Sequence, residues 1–251
     1  SVLVLTQKNY IEELNLVINR LNELEINKYF KCYLASKEIE KEKVSFPRWN
    51  NITIDPDCRT WGSELLNCIN YIDEDYIFIF LDDFYPYNYI SAFKLKQKIK
   101  ECLKYKPSLI RINSNYNRRI FLKKLNPNIF SETYCNKYST SLVLPIFKKN
   151  FLKKIVSSKD TPWKFEKNSN SRFKFNKHLF CFIKGSNINF KVANIVIKGK
   201  SLRLSINRIP KNKRNNYLNM TKINPMSLFE EIYFHLKKLV FDILGRYLPY
   251  F

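Results

Sequence analysis

Two adjacent carboxylates, Asp82 and Asp83, end a strand-like apolar run that begins at residue 75. Like charges side by side at the edge of a core repel each other, so such a pair either keeps a proton or holds a cation. In open α/β sheets, ligands bind just beyond the carboxyl ends of the strands, where this pair falls. Hard oxygen ligands suit Mg²⁺ or Mn²⁺, which commonly share one or two carboxylates with substrate phosphates. The pattern predicts a divalent-metal site, and the alternative is an ordinary acidic loop.

Carboxylates are scarce after this pair, and one of them stands in an apolar setting. Residues 84–229 contain four, namely Glu101, Glu132, Asp160 and Glu166. We expect Glu101 on a surface helix and Glu132 in a polar loop. Glu166 follows Pro162-Trp163-Lys164-Phe165, and apolar surroundings raise a carboxyl pKa toward the range that suits a general base. We therefore interpret Glu166 as a candidate base, the alternative being an ion pair with Arg172 or a lysine.

The charge of the protein is extreme and uneven. The formal net charge is +22; residues 1–83 carry 9 Lys and Arg against 15 Asp and Glu, whereas residues 84–251 carry 35 against 7. The basic run 198–216 contains no acid at all. Such a run is normally a solvated or mobile face, but it is also suited to binding anions. The asymmetry predicts an anionic partner for the second part: nucleic acid, anionic lipid or a phosphorylated substrate.

Short apolar runs and amphipathic stripes alternate along the chain. Strands are predicted at residues 1–6, 29–35, 51–54, 75–81 and 108–112, and then at 141–147, 179–183 and 188–197. Helices are predicted at 10–24, 65–72, 92–103 and 148–156, with a turn and short helix at 160–166. Alternation of this kind predicts an α/β fold with a mostly parallel sheet flanked by helices.

Several functional classes are disfavoured by composition. The six cysteines form no Cys-x-x-Cys pair and there are only two histidines, which disfavours structural zinc. Only four glycines are present, and no glycine-rich phosphate loop is found. No apolar run approaches the roughly 18 residues of a membrane-spanning helix. We expect a cytoplasmic protein with reduced thiols, in which metal and basic side chains bind any phosphate.

The C-terminal region has the clearest helix signal in the sequence. Ser227 and Glu230 have capping-box spacing, and an apolar stripe follows at Leu228, Ile232, Leu236, Leu239, Ile243 and Tyr247. This helix is expected to pack on its own domain or on a second copy, giving a homo-oligomer. The alternative is an interfacial helix at a lipid headgroup surface. We divide the chain into residues 1–205, the α/β domain, and residues 206–251, a basic linker with the amphipathic helix.

Three blocks of sequence resemble bacterial GT-A-fold glycosyltransferases of surface polysaccharide assembly (capsule, O-antigen or lipooligosaccharide). They are Arg59–Leu66 running on into Asp75–Phe84, Ser141–Lys149 with Pro162–Glu166, and Ile197–Lys200. Together the blocks span about residues 1–205, and the resemblance rests on their order and spacing. The resemblance implies a GT-A-like, Rossmann-like sheet and a nucleoside-diphosphate sugar as the donor, with a UDP-sugar favoured.

The resemblance also implies roles for individual residues. Asp82-Asp83 is similar to the Asp-x-Asp metal motif with Leu81 in place of its first acid, so that Asp83 would bind Mn²⁺ or Mg²⁺ and Asp82 would face the ribose or sugar. Thr6 would lie beside the nucleotide base, and Trp61 near that pocket or, equally well, as an anchor of its helix. Glu166 would be the base of an inverting transfer, and Lys198 and Lys200 would neutralise the leaving diphosphate.

Three interpretations follow from these observations. The first is a metal-assisted glycosyltransferase, peripheral on the inner face of the plasma membrane, that adds a sugar to a lipid-linked or lipopolysaccharide-type glycan. The second is a basic nucleic-acid-binding protein without catalysis, which would use its charge and aromatic residues. The third is a catalytically inactive scaffold. Because a binding module needs neither Asp82-Asp83 nor Glu166, we favour the transferase and expect no nucleic-acid partner.

Overall fold

A computed structural model describes residues 1–6, 11–37, 46–112, 122–133, 139–197, 200–221 and 223–236 of the chain. Its strands are β1 (Val2–Leu5), β2 (Cys32–Ser36), β3 (Trp49–Thr53), β4 (Tyr76–Leu81), β5 (Phe84–Pro86), β6 (Leu109–Arg111), β7 (Leu122–Asn126), β8 (Ile129–Glu132), β9 (Pro145–Lys148), β10 (Phe180–Ile183), β11 (Val192–Asn194), β12 (Val196–Ile197) and β13 (Lys200–Ser201). Its helices are α1 (Ile11–Glu23), α2 (Ile26–Tyr29), α3 (Trp61–Tyr71), α4 (Ala92–Leu103), α5 (Lys149–Ile155), α6 (Pro162–Asn168), α7 (Arg203–Ile206) and α8 (Lys211–Met220). Residues 228–236 are also helical.

Nine of the described strands form one mixed sheet in the order β3-β2-β1-β4-β9-β6-β10-β8-β7. The first four are parallel to one another. Strand β9 runs antiparallel to both of its neighbours, β4 and β6, while β10 is parallel to β6. The predicted α/β class with a large mixed sheet flanked by helices is confirmed. A smaller antiparallel pair, β5 with β11, extends beyond the end of β4.

The sheet is covered by apolar layers on both faces. In β4, Phe78 and Phe80 belong to the cluster that contains residues of α1 and α4, whereas Ile77 and Ile79 belong to the cluster that contains residues of α3, α5 and α6. Alternate side chains of a strand point to opposite faces, so a strand buried on both faces reads as a continuous apolar run. Asp82 and Asp83 therefore lie just beyond the buried part of β4.

Helix α3 and the loop before α6 approach each other at Gly62. The amide of Gly62 donates to the carbonyl oxygen of Asp160 at 2.9 Å. A Cβ at this position would fall 2.1 Å from the carbonyl oxygen of Ser157, so only glycine fits without a backbone shift. This contact joins the first part of the chain to the segment that leads into α6.

Three predicted strands are shortened or divided in the structure. The strand predicted at 29–35 begins only at Cys32, because Ile26–Tyr29 is a short helix that follows Glu25 in a left-handed conformation (φ 57°). The strand predicted at 141–147 begins at Pro145, after Leu144 with φ 54°. The strand predicted at 188–197 is divided into β11 and β12. The described part of the basic run 198–216 contains α7 and the first part of α8, and its residues Arg203, Arg208 and Lys211 are exposed.

The predicted capping box at the C-terminal helix is confirmed, whereas the described part of the apolar stripe does not pack on its own domain. The Glu230 amide donates to Ser227 Oγ at 3.2 Å, and the Ser227 amide donates to Glu230 Oε2 at 2.9 Å. Leu228, Ile232 and Leu236 are exposed. The helix contacts the domain instead through Phe234 and through Glu231, which accepts from the Leu204 amide at 2.8 Å. Residues 237–251, including the rest of the stripe, lie outside the described part.

Within the described residues, no helix combines the length and the apolar character that crossing a bilayer requires.

Candidate active site

The carboxyl ends of β1 and β4 lie side by side at one end of the sheet. The two strands are parallel, with Leu5 opposite Leu81, so Thr6 and Asp82 follow at neighbouring positions. Thr6 Oγ1 donates a hydrogen bond to Asp82 Oδ2 at 2.8 Å, and Thr6 is buried. The structure therefore brings together two of the residues that the sequence assigns to donor binding.

The carboxyl group of Asp83 lies in surroundings that disfavour its charged form. Burial, followed by the negative charge of Asp82 and a smaller contribution from Glu13, raises the pKa of Asp83 to about 8. Two carboxylates in this environment are stabilised by a cation. Among the described residues, no three His, Cys, Asp or Glu side chains are arranged around a metal. A cation held by this pair would complete its shell with water and phosphate oxygens, as Mg²⁺ usually does, so the residues fit such an ion.

Glu13 is a buried carboxyl group that the sequence interpretation did not identify. It lies on α1, with 1% of its surface exposed, and accepts hydrogen bonds from Tyr217 Oη at 2.7 Å and Thr221 Oγ1 at 3.2 Å. Desolvation and Glu13 raise the pKa of Tyr217, which keeps the phenol protonated as a donor. The sequence does indicate that Glu13 is buried. It precedes Val17 by four residues and therefore lies on the buried stripe of α1.

A short hairpin starts beside Asp83. The Ile195 amide donates to the Asp83 carbonyl oxygen at 2.8 Å, and the Leu202 amide donates to Ile195 at 3.0 Å, closing the hairpin formed by β12 and β13. Lys200 lies on this hairpin, and its ammonium group pairs with Glu230 at 2.5 Å at an exposed position. Lys198 lies outside the described residues. The anchor of the hairpin is thus adjacent to the carboxylate pair, while the Lys200 ammonium is engaged by the C-terminal helix.

The segment that precedes β9 binds Glu166 at the same end of the sheet, beyond the carboxyl end of β4. Its Oε1 accepts from Ser141 Oγ at 2.9 Å and from the Leu142 amide at 2.6 Å. Strand β9 is antiparallel to β4, with Ile146 opposite Phe78, so the residues before Pro145 lie at the end where β4 reaches Asp82. The Oε2 atom has no hydrogen-bond partner within the described part of the chain. The carboxylate is therefore oriented by hydrogen bonds to one of its two oxygens.

The other three acids of residues 84–229 are engaged by cations. Glu101 pairs with Lys98 at 2.7 Å, Asp160 pairs with Arg172, and Glu132 pairs with Arg111 at 2.6 Å. The expectation that Glu132 lies in a polar loop is wrong. It ends β8, and its side chain is 1% exposed because β10 brings it beside Arg111 of β6. Glu166 alone of the four has no Lys or Arg partner among the described residues.

Trp61 begins α3 and is almost completely buried. Its ring lies 5.6 Å from the ring of Phe165, and 7% of its surface is exposed. The preceding Thr60 caps the helix by exchanging hydrogen bonds with Ser63. This packing corresponds to the anchor alternative, and a direct contact between Trp61 and a donor stays a prediction.

Comparison with known proteins gives a likeness of fold. No family model matches the sequence, and no curated protein matches it. Among solved structures, the chain is similar to residues 1–349 of TarS from S. aureus, with a TM-score of 0.51 and 11% identity, over 75% of this chain and 58% of that one. The chain thus spans less than two thirds of that structure.

Two further structures have lower TM-scores. A UDP-glucose pyrophosphorylase complexed with UDP-glucose gives 0.49 at 9% identity, over 87% of this chain and 98% of that one. A putative glucose-1-phosphate thymidylyltransferase from Bacillus anthracis gives a TM-score of 0.47 at 10% identity, over 92% of this chain and 98% of that one. The likeness to TarS, together with the observed sheet, shows that this chain has a Rossmann-like α/β fold of the GT-A type.

Proposed function

We propose that the protein is a sugar-nucleotide-dependent glycosyltransferase that transfers a sugar, with inversion, to a hydroxyl group of a glycan. The observation that carries the proposal is that Thr6, the Asp82-Asp83 pair and the segment that binds Glu166 all lie at one end of the sheet, where β1 and β4 terminate. The likeness of fold to TarS supports it. TarS has also been crystallised with UDP and with UDP-GlcNAc, so UDP-sugars are the first donors to test.

In this mechanism Glu166 removes the proton from the attacking acceptor hydroxyl. Hydrogen bonds from Ser141 and Leu142 fix one carboxylate oxygen, which leaves the other to receive the proton. Asp82, oriented by Thr6, faces the sugar or ribose of the donor. Asp83 would hold a divalent cation, Mn²⁺ or Mg²⁺, which when bound would supply positive charge for the departing diphosphate. Lys198 and Lys200 are proposed to neutralise the same anion, and Lys200 would have to leave Glu230 to do so.

The proposal includes a lipid-linked or lipopolysaccharide-type acceptor at the cytoplasmic face of the membrane, with the enzyme bound to anionic lipid. Large apolar side chains on the 228–236 segment support this: Leu228, Phe229, Ile232, Tyr233 and Leu236 are all exposed, Phe229 by 83%. Helix α8 contains Lys211, Lys213 and Arg214 and no acid. Apolar insertion combined with basic residues, each worth about 1 kcal/mol near an anionic surface, favours a bilayer as the partner.

The membrane part can be tested separately from the chemistry. We expect the full chain to sediment with vesicles containing phosphatidylglycerol but not with phosphatidylcholine vesicles, and to be released by salt. The double substitution Phe229→Ser with Tyr233→Ser should reduce vesicle binding without changing donor hydrolysis. A dimer that loses its association in this variant would instead assign the face to a second copy of the chain.

The decisive experiment is thermal stabilisation by UDP, GDP, CMP and dTDP, with and without Mn²⁺, beside a short oligonucleotide. A ligand at 100 times its Kd adds about 2.7 kcal/mol, which corresponds to roughly 5–10 °C for a chain of this size. We expect one nucleoside diphosphate to stabilise the protein in a Mn²⁺-dependent way, and the matching nucleotide sugar to be hydrolysed. A salt-sensitive shift with the oligonucleotide alone would instead establish the nucleic-acid-binding alternative.

A further inference from the structure

Helix α6 is a rigid element of the site. Phe165 is fully buried, with its ring 5.6 Å from that of Trp61 and 6.1 Å from that of Phe147. Thr161 caps the helix by accepting from the Lys164 amide at 3.2 Å, and Pro162 occupies the first turn. The position of any side chain on this helix is therefore determined by the core beneath it.

Trp163 is the large side chain that this packing leaves in solvent. It is 63% exposed, whereas the other two tryptophans, Trp49 and Trp61, are 8% and 7% exposed. One exposed apolar residue is ordinary on a protein surface. This one, however, precedes Glu166 by three residues, and side chains at that spacing are neighbours on a helix. A broad, flat apolar face thus adjoins the carboxylate that we assign as the base.

We propose that the indole of Trp163 is a platform on which a pyranose ring of the acceptor stacks, so that one of its hydroxyl groups reaches Glu166. The inference rests on the proposed transferase function and names the acceptor subsite. An aromatic ring provides a large contact area at low cost in conformational entropy, while hydroxyl groups at the rim of a sugar stay free for polar contacts. Orienting the acceptor at a fixed base is worth a large share of a transfer barrier.

The placement of α6 favours the acceptor over the donor as the occupant. Thr6 and Asp82, two of the residues assigned to the donor, follow β1 and β4, whereas Glu166 is bound by Ser141 and Leu142, which precede β9. A base must contact the acceptor hydroxyl, so the side chain adjoining the base adjoins the acceptor. An exposed indole can also stack on a nucleobase or insert into lipid. The experiment below distinguishes a glycan from these two partners.

Trp163 supplies its own spectroscopic signal, because the other two tryptophans are buried. In the full chain we would measure iodide quenching of tryptophan fluorescence with chitotriose, maltotriose and rough lipooligosaccharide micelles, and in parallel with an oligonucleotide and with phosphatidylglycerol vesicles. We expect a glycan at about 10 mM, above the Kd of even a weak contact, to protect the fluorescence in the wild-type protein and not in Trp163→Phe. Protection by the oligonucleotide or vesicles alone, or by no glycan, overturns the proposal.

Transfer kinetics provide the second measurement. Trp163→Ala should raise the KM for the protective glycan about tenfold while leaving the KM for the donor in hydrolysis unchanged, and Trp163→Phe should recover most of the loss. Tyr71→Ala, another exposed aromatic residue (59%), is the matched control. Active transfer with an unchanged acceptor KM in Trp163→Ala overturns the subsite alone. Absence of nucleotide binding and hydrolysis in the wild type overturns the transferase function itself.

Discussion

The two sides of the candidate site are held in place by different means. On the donor side, Thr6 and Asp82 continue the parallel strands β1 and β4, so backbone register positions them. On the acceptor side, Glu166 lies on a short helix and is fixed by hydrogen bonds from Ser141 and Leu142. Register does not depend on the functional side chains, whereas a hydrogen-bond network does. Substitutions should therefore separate function from stability on the donor side and couple them on the acceptor side.

The largest effect is expected at Asp83. Asp83→Asn should lower donor turnover about 10³-fold or more, because it removes the carboxylate assigned to the cation. Its melting temperature should stay within about 2 °C of wild type, because strand register is unaffected and repulsion with Asp82 is relieved. Nucleotide-sugar hydrolysis and calorimetry measure the two quantities, with Asp73→Asn as a surface control. An unfolded Asp83→Asn variant would show that the pair is structural.

Glu166→Gln should have the next largest effect. Glutamine retains an acceptor oxygen for Ser141 and Leu142 but cannot take a proton, so transfer should fall about 10³-fold while nucleotide binding stays unchanged. Single-turnover transfer and a nucleotide titration test both expectations. Glu101→Gln, at an exposed ion pair on α4, serves as the control. Transfer at the wild-type rate in Glu166→Gln would exclude this residue as the base.

Asp160→Asn tests the coupling of stability to the acceptor side. Burial alone would raise the pKa of Asp160, but the hydrogen bonds and charge of Arg172 and the Ser157 amide hold it below its usual range. Removing one partner of a buried pair costs about 3 kcal/mol, or roughly 6–12 °C in melting temperature. We also expect slower transfer, since Asp160 precedes α6. Full stability with full activity would show that α6 does not depend on this pair.

The same pair predicts the direction of an acid effect. Because the folded pKa of Asp160 lies below its unfolded value near 3.9, its contribution to stability is complete above that value and is lost as pH falls through the folded pKa. The difference in melting temperature between wild type and Asp160→Asn should therefore shrink at strongly acidic pH. A difference that is constant down to that range would assign the loss to packing.

The smallest effect is expected behind the donor side, at Tyr217. Tyr217→Phe removes the shorter of the two hydrogen bonds to the buried Glu13 and should cost about 1–2 kcal/mol, with little change in the donor KM. Thermal unfolding and donor hydrolysis measure this, and Tyr71→Phe is the exposed control. A clear rise in the donor KM would show that Glu13 helps to shape the region around Asp83.

The positions of Thr6 and Asp82 are easier to predict from the sequence than those of Glu166 and its hydrogen-bond partners, for a physical reason. The buried run 75–81 and its terminal carboxylates are local features, and parallel packing at the centre of a sheet leaves a continuous apolar pattern. The positions of Glu132 and Arg111 depend on β10 lying between their strands, which no local pattern encodes. The outward face of residues 228–236 and the burial of Tyr217 likewise depend on which surface each helix meets. Glu166 stands out in the sequence because acids are rare there and apolar residues precede it, whereas its partners Ser141 and Leu142 emerge only from the fold.

The position of β9 in the sheet has a consequence for how the protein is made. Strand β9, formed by residues 145–148, lies between β4 and β6, which are both encoded earlier in the chain. The growing polypeptide therefore cannot complete the centre of its sheet until residue 148 has left the ribosome. Pairings between distant segments slow folding, because the intervening loops must be closed first. During this interval, the unpaired edges of β4 and β6 are exposed to other chains, and chaperones would have their main opportunity to act on the nascent protein.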